Sequence, residues 1–302
     1  MPVGSGFRGQ TAALVVGGVV YSPLLGALGI VIGNPFLIPT VIGSAILFRL
    51  GLGLERNMKS RSIRIALVLL ALALACPGVL FALYYTHLFD GAAWFYNLRT
   101  VRFTELLACG MGLAAGMLHG WWQPESFGEK VIVPSGLLVF VLVPFIKPIL
   151  DPLDMNQLKD RFQGEVCLQS TFSTCGPASA VTLLRSFGDD VTEKELATES
   201  LTSRGGTEIW YLARALRRRG IGTQVVIEPR GDAAVPNPAI AGVLLPGHAG
   251  HFVAVLSNDG TQVTIADPLK GKLVLSKKEL SQSYHFTGFY MVLERDASRK
   301  QQ

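Results

Sequence analysis

VCLQSTFSTCGPASAVTLLRSFG, residues 166–188, places Cys175 directly before Gly176 and Pro177, at the start of a run that reads as a helix. Pro177 suits a first helical turn, and Gly188 suits the position just past the last. Gln169 precedes the thiol by six positions. A helix N-terminus carries partial positive charge and unpaired N–H groups. A cysteine there is held toward its thiolate, the form that acts as a nucleophile.

The rest of the chain divides around this stretch. Of its 302 residues 49% are hydrophobic and only 16% charged, against about 25% charged in an ordinary soluble protein. The deficit lies before residue 151. Residues 1–150 read as a multi-pass membrane region and 151–302 as a globular domain, large enough to bury its own core. The net charge of +5 is modest. Its basic residues are scattered without interleaved aromatics, so no nucleic-acid partner is expected. Four cysteines without metal-ligand spacing give no metal site, and no cofactor motif is present. Cys76 and Cys109 fall in apolar runs as packing residues.

A helix needs about 20 apolar residues to cross the hydrocarbon core. Five runs qualify, at about 11–32, 37–54, 65–88, 103–120 and 131–150, the fourth being short and Gly-rich. No signal-peptide cleavage pattern precedes them. The segment RLGLGLERNMKSRSIR carries Arg49, Arg56, Lys59, Arg61 and Arg64 against one acid, which makes that loop cytoplasmic. The loop with Trp94, Phe95 and Tyr96, read as interfacial anchors, is then outside, although it also holds Arg99 and Arg102. With five spans the globular domain lies on the extracytoplasmic side of the cell membrane. Glu105, His87 and His119 sit near span ends, where such groups reach the interface.

In the globular half, VTEKELATES opens with Thr192 and Glu195 at capping-box spacing. GGTEIWYLARALRRRG is a third helix, with Thr207 as its expected N-cap and Gly220 closing it. After Gly220 come six runs of β-branched and apolar residues bounded by Gly, Pro, Asn and Asp. Helices first and strands after give an α+β layout, helices packed on an antiparallel sheet. In HFVAVLSNDGTQVTIAD a three-residue turn at Asn258, Asp259 and Gly260 would set Ser257 opposite Thr261. Counting outward on that register brings His251 directly opposite Asp267, with Cβ atoms about 4.5–5.5 Å apart.

Four residues then fill four chemical roles. Cys175 is the nucleophile, and His251 pairs with it and protonates the leaving amine. Asp267 fixes the imidazole tautomer. The Gln169 amide, with the Cys175 backbone N–H, lines an oxyanion hole. His248 is a rival base in a loop; His285 reads as structural, and Cys167 as a packing residue that could also bridge to Cys175. Glu208 reads as a helix cap.

QSTFSTCGPASAVTLL, GHFVAVL and IADP resemble the papain-like cysteine peptidases that trim double-glycine leaders from bacteriocin precursors. The likeness runs over roughly 151–294 and implies the same roles for Cys175, His251, Asp267 and Gln169. The best-known members of that family carry the domain ahead of an ATP-driven exporter's spans. In this sequence it follows the spans, and no nucleotide-binding motif is found.

The expected function is a membrane-anchored cysteine peptidase cutting a peptide or protein, with the lipid bilayer and an unidentified membrane protein as further partners. Alternatives are a non-catalytic papain-like peptide-binding module, or an amidase or acyltransferase using the same triad.

Overall fold

The structure, a computed structural model, describes residues 34–228 and 235–295 together with 15–16 and 19–20. Two short paired strands, β1 (Val15–Val16) and β2 (Val19–Val20), are what it describes of the expected first span at 11–32; the remainder of that span lies outside the described residues. The apolar half continues with α1 (Leu37–Asn57), α2 (Arg61–Leu83), α3 (Ala93–Thr100), α4 (Gly110–Trp122) and α5 (Phe127–Leu150). Among the described residues, three helices are long and apolar enough to cross a membrane: α1, α5, and α2 with its 3-10 extension to Thr86.

The fourth expected span is not one straight helix. Residues Thr104–Cys109 are 3-10, α4 has 13 residues, and the chain bends by 105° between α3 and this pair. The break falls at residues 101–103, where Phe103 takes a left-handed φ of 69°, and the glycines that follow set how closely α4 packs. A Cβ at Gly110, Gly112 or Gly116 would collide with the carbonyls of Leu74, Ser44 or Phe48. α4 is therefore wedged backbone to backbone between α1 and α2, as small residues allow where lipid gives no hydrophobic drive to association. Of the four expected spans that fall on described residues, three are long helices and the fourth is a broken element.

After Leu150 come β3 (Arg161–Gln163), β4 (Val166–Leu168), α6 (Cys175–Ser186), α7 (Glu193–Glu199) and α8 (Ile209–Arg218). Then follow β5 (Ile221–Ile227), β6 (Ala239–Leu244), β7 (Gly250–Asn258), β8 (Gln262–Asp267), β9 (Gly271–Ser276), α9 (Lys277–Ser283) and β10 (His285–Arg295). The last six strands form one antiparallel sheet in the order β5-β10-β6-β7-β8-β9. Alternation along the strands splits the core. Ile240, Ala254, Ala266 and Met291 pack under α6 and α8, whereas Ala241, Val253, Ile265 and Tyr290 pack under Leu280 of α9 and Tyr284. The capping box of Thr192 and Glu195 is formed at α7. A second, at Ser276 and Glu279, starts α9, a helix the sequence reading passed over.

α8 seats the α+β unit on the apolar half. Arg214 Nη1 donates to Glu105 Oε1 at 2.7 Å with both side chains buried, and Arg214 Nη2 donates to the carbonyls of Arg99 and Val101. The Arg99 guanidinium lies over the rings of Phe81 and Trp210, 4.2 and 4.7 Å from their centroids. Asn97 bonds both backbone groups of Val225, and Asn34 Nδ2 donates to the Tyr211 hydroxyl. Phe95 and Tyr96, expected as lipid-interface anchors, are buried against Tyr84, Trp210 and Phe289; Trp94 stays exposed.

Candidate active site

Cys175 is the first residue of α6, so its backbone N–H belongs to the first-turn donors that lack an intrahelical acceptor. The loop before it is pinned on both sides. Ser170 N and Oγ donate to the buried Glu193 carboxylate, Ser173 Oγ donates to the Arg204 carbonyl, and Thr174 Oγ1 donates to the Thr171 carbonyl. One turn into α6, Ser179 Oγ donates to the Phe252 carbonyl at 3.2 Å. That bond holds the start of α6 against the start of β7, beside His251.

His251 Nε2 lies 2.9 Å from Asp267 Oδ1, with both side chains buried. The carboxylate only accepts, so the Nε2 hydrogen points to it and Nδ1 is left for the thiol. The expected register is corrected here. The ladder pairs Ala254 with Ala266 and Val255 with Ile265, then slips by one between Val255 and Ser257; Ser257 faces Thr264 and not Thr261. The cause is the turn: Asp259 Oδ1 accepts from Thr261 N and Gln262 N, which closes a longer loop than the expected one. His251 and Asp267 are thus offset by two from direct opposition. An offset of two preserves the face, and diagonal neighbours remain within reach of a long side chain.

Asp267 is further held by Leu269 N at 2.9 Å on Oδ1 and by the Tyr284 hydroxyl at 2.6 Å on Oδ2. Burial works to raise its pKa, but the bonds from His251, Tyr284 and Leu269 prevail and hold it below the usual carboxylate range. For His251 burial works downward. Hydrogen bonds to Asp267 and Cys175 overcome it and push the imidazole up to about 9. The pair is therefore protonated on the ring near neutral pH.

Gln169 is buried and tied to the same region, its backbone N–H donating to the Pro268 carbonyl at 3.1 Å. Its Nε2 donates to the Thr171 carbonyl at 2.8 Å. That partner fixes the amide orientation, because a carbonyl takes a bond only from the NH₂ end. Gln169 does not line the cleft beside Cys175. The cleft, about 390 Å³, is walled by Cys175, His251 and Phe252 and by Gly205, Gly206 and Gly242.

His248 is exposed in a tight turn with φ of 63° and does not line the cleft. Cys167 is a free, fully buried thiol, pushed up to about 12 chiefly by burial and then by Glu193 and Asp160. Thr207 is not the N-cap of α8; Glu208 is, and its carboxylate is taken by Lys147 Nζ at 3.1 Å and the Tyr84 hydroxyl at 3.2 Å. Tyr284, Ser179 and Glu193 were missed in the sequence. The capping box that opens α9 is the one signal that pointed toward Tyr284.

Helices that carry a cysteine at an N-terminus, laid on an antiparallel sheet that carries a paired histidine and aspartate, define a cysteine-type peptidase. Residues 163–298 match the Peptidase C39 family. An uncharacterized protein of Methanothermobacter marburgensis is 32% identical over 145 residues, which are 48% of this chain and 99% of that protein. The chain belongs to the Peptidase C39 family. The lactococcin-G-processing and transport ATP-binding protein LagD of Lactococcus lactis subsp. lactis is 25% identical over 123 residues, 40% of this chain and 18% of its own length. Among solved structures, a double glycine motif protease from an AMS/PCAT transporter in complex with the leader peptide is 22% identical. That match covers 43% of this chain and 91% of the other, with a TM-score of 0.37.

Proposed function

We propose that the protein is a membrane-anchored peptidase that cuts a peptide through an acyl-enzyme formed on Cys175, in a domain beginning near residue 151. The observation that carries this reading is the His251–Asp267 bond of 2.9 Å beside Cys175, with the imidazole pushed up to about 9. A protonated ring next to the sulfur stabilises the thiolate. The thiolate adds to the scissile carbonyl, and the carbonyl pair moves to oxygen. As the C–N bond breaks, the imidazolium gives its proton to the leaving amine. Water, deprotonated by the now neutral ring, then releases the acyl group and restores the thiol pair. Asp267 holds the tautomer and the ring charge throughout.

For the oxyanion, the Cys175 backbone N–H is one donor, and the second Nε2 hydrogen of Gln169, the one not spent on Thr171, is the other. Gln169 enters this role only if substrate draws its amide toward the cleft. Glycines 205, 206 and 242 leave the cleft wall without side chains, which lets an extended backbone approach. We assign it a peptide with small residues before the scissile bond, in line with the leader peptide named for the solved relative.

The domain is proposed to face the extracytoplasmic side. α1 starts at the α+β unit through Asn34 and Tyr211, while Lys147 near the end of α5 reaches Glu208. The loops at 57–61 and 122–127 are then at the opposite end, where Arg56, Lys59, Arg61, Arg64 and Lys130 cluster. Basic loops stay in the cytoplasm. Of the two contrary charges on the other side, Arg99 is buried on Glu105 and two aromatic rings, and Arg102 alone stays exposed, over the Phe103 ring.

The test is an electrophilic peptide probe applied to intact cells. Labelling of Cys175 that is lost in His251→Ala supports catalysis on the outer face. Labelling indifferent to His251 means a binding role, and labelling only after lysis reverses the sidedness.

A further inference from the structure

Two cavities share one arginine, Arg56, at the end of the bundle away from the cleft. The first, about 630 Å³, is an apolar groove between α1 and α5. Val41, Ala45, Phe48 and Leu52 line one side at helical spacing, and Leu138 and Val141 the other. Between Val41 and Arg56 it extends 15 residues, about 22 Å at 1.5 Å per residue, more than one ~15 Å leaflet of hydrocarbon. The second, about 540 Å³, is polar and is lined by Glu55, Arg56, Arg64, His119 and Lys130. Arg56 belongs to both, and Phe48 of the groove lies against His119 of the polar pocket with centroids 5.6 Å apart.

The charges in the polar pocket do not cancel internally. Glu55 Oε1 pairs with Arg64 at 3.0 Å. Among the described residues neither Arg56 nor Lys130 has a direct ion-pair partner, although Glu129, which accepts from Glu125 N, is near enough to feel the Lys130 charge. Both cations are exposed and open to a ligand. Three buried polar atoms there make no hydrogen bond: Glu55 Oε2, on a side chain 4% exposed, Arg64 Nε, which faces Glu55 Oε1 as an ion pair, and His119 Nδ1. A carboxylate oxygen calls for a donor, and a neutral imidazole nitrogen can complete a hydroxyl that donates to that carboxylate.

An apolar slot opening into a cationic pocket with a buried acceptor matches one kind of molecule. We propose that this end of the bundle binds an anionic phospholipid with a hydroxyl-bearing head group. One acyl chain lies along the groove, the phosphate lies against Arg56 and Lys130, and a glycerol hydroxyl donates to Glu55 Oε2. A choline head group offers no donor to Glu55. The site is independent of the peptidase chemistry at the opposite end.

The test is native mass spectrometry of the full chain in neutral detergent, titrated separately with phosphatidylglycerol, phosphatidylethanolamine and phosphatidylcholine. One phosphatidylglycerol per chain should be retained, about tenfold more tightly than phosphatidylcholine. Arg56→Ser with Lys130→Ser should weaken it about thirtyfold, and Leu138→Trp, which fills the groove, should abolish the one-to-one adduct. Thiol-probe labelling of Cys175 reports whether each variant is folded. Equal retention of phosphatidylglycerol and phosphatidylcholine, or full retention by the double variant, overturns the proposal. So does a cross-link from Leu138→Cys to residues 11–32 in protein that retains no lipid, which would give the groove to the chain's own segment.

Discussion

Asp267→Asn separates the charge of the carboxylate from its hydrogen bonds. His251 Nε2 and Leu269 N both donate to Oδ1, which an asparagine oxygen can replace. The Tyr284 hydroxyl donates to Oδ2, and it can rotate to accept from an asparagine NH₂ instead. Asp267→Ala would leave three buried donors unpaired at about 1–3 kcal/mol each, so the asparagine is the cleaner probe. His251 is raised from 6.5 to about 9, a gap worth about 3 kcal/mol at 1.36 kcal/mol per pH unit. That contribution to stability is fully present below pH 6.5 and is lost as the pH climbs through about 9, because the folded state holds the proton more tightly. Cys175 shares in the shift, so loss of the Asp267 charge should bring the midpoint down by about 1.5 pH units. The protonated fraction at pH 8.5 then falls from about three-quarters to about one-tenth, and turnover of a fluorogenic peptide by about eightfold. At pH 6.5 both forms are almost wholly protonated, and the loss should be about a tenth. The midpoint itself is read from ¹⁵N-histidine resonances over pH 5–10. An unmoved midpoint, or an equal loss of rate at both pH values, would refute the assignment of Asp267 as the group that holds the ring charge.

Tyr284→Phe removes one of three bonds to Asp267 but leaves its charge, so it should lower turnover by less than Asp267→Asn and should not bring the His251 midpoint down, read by the same titration. Glu105→Gln leaves Arg99 and Arg214 buried without their counter-charge; it should cost about 3–5 kcal/mol, visible as a fall in the melting temperature of the detergent-solubilised chain. Gly112→Ala forces a Cβ into the Ser44 carbonyl and should broaden or abolish the monodisperse peak on size-exclusion chromatography, whereas Gly53→Ala, with nothing within 4 Å, should leave it unchanged. Lys147→Met should raise KM for a peptide more than it lowers kcat, because Lys147 lies against Gly205 of the cleft wall and ties it to Glu208.

Local chemistry made much of the α+β half readable. Pro177 and Gly188 bracket α6, Thr192 and Glu195 cap α7, and Gly220, with φ of 81°, ends α8. The six strands follow from their β-branched runs. Register was less legible, since it depends on one extra residue near Leu256 and on how Asp259 folds the turn. The miscount was even, so His251 and Asp267 stayed on one face; an odd miscount would have separated them. The sequence could not show what the apolar half touches. Phe95, Tyr96 and Arg99 carry the composition of a membrane interface, but their partners, Trp210 and Phe289 among them, stand more than 100 residues away along the chain. Hydropathy likewise cannot tell a lipid-facing glycine-rich run from one packed backbone to backbone, so residues 103–120 read as one full span where the chain forms a 3-10 segment and α4.

α8 joins these two kinds of information. Its N-cap, Glu208, follows the glycine wall of the cleft and is gripped by Lys147 and Tyr84 from the apolar helices. Nearly two turns on, Arg214 enters the buried pair with Glu105. A flexible tether would need none of this; ordering two long charged side chains in a dry interface is costly unless each is matched. Here the two terminal nitrogens of Arg214 donate to Glu105, Thr104 and two carbonyls, while Nε is left without a partner among the described residues. The cleft is therefore fixed in height and direction relative to the helix ends, and a peptide must reach Cys175 close to the end of α5. That geometry favours substrates presented at the membrane surface over those arriving from bulk solution. It predicts that the full chain will cut a bilayer-anchored peptide faster than the same sequence free in solution, an advantage that Glu105→Gln should reduce by loosening the seat without touching Cys175, His251 or Asp267.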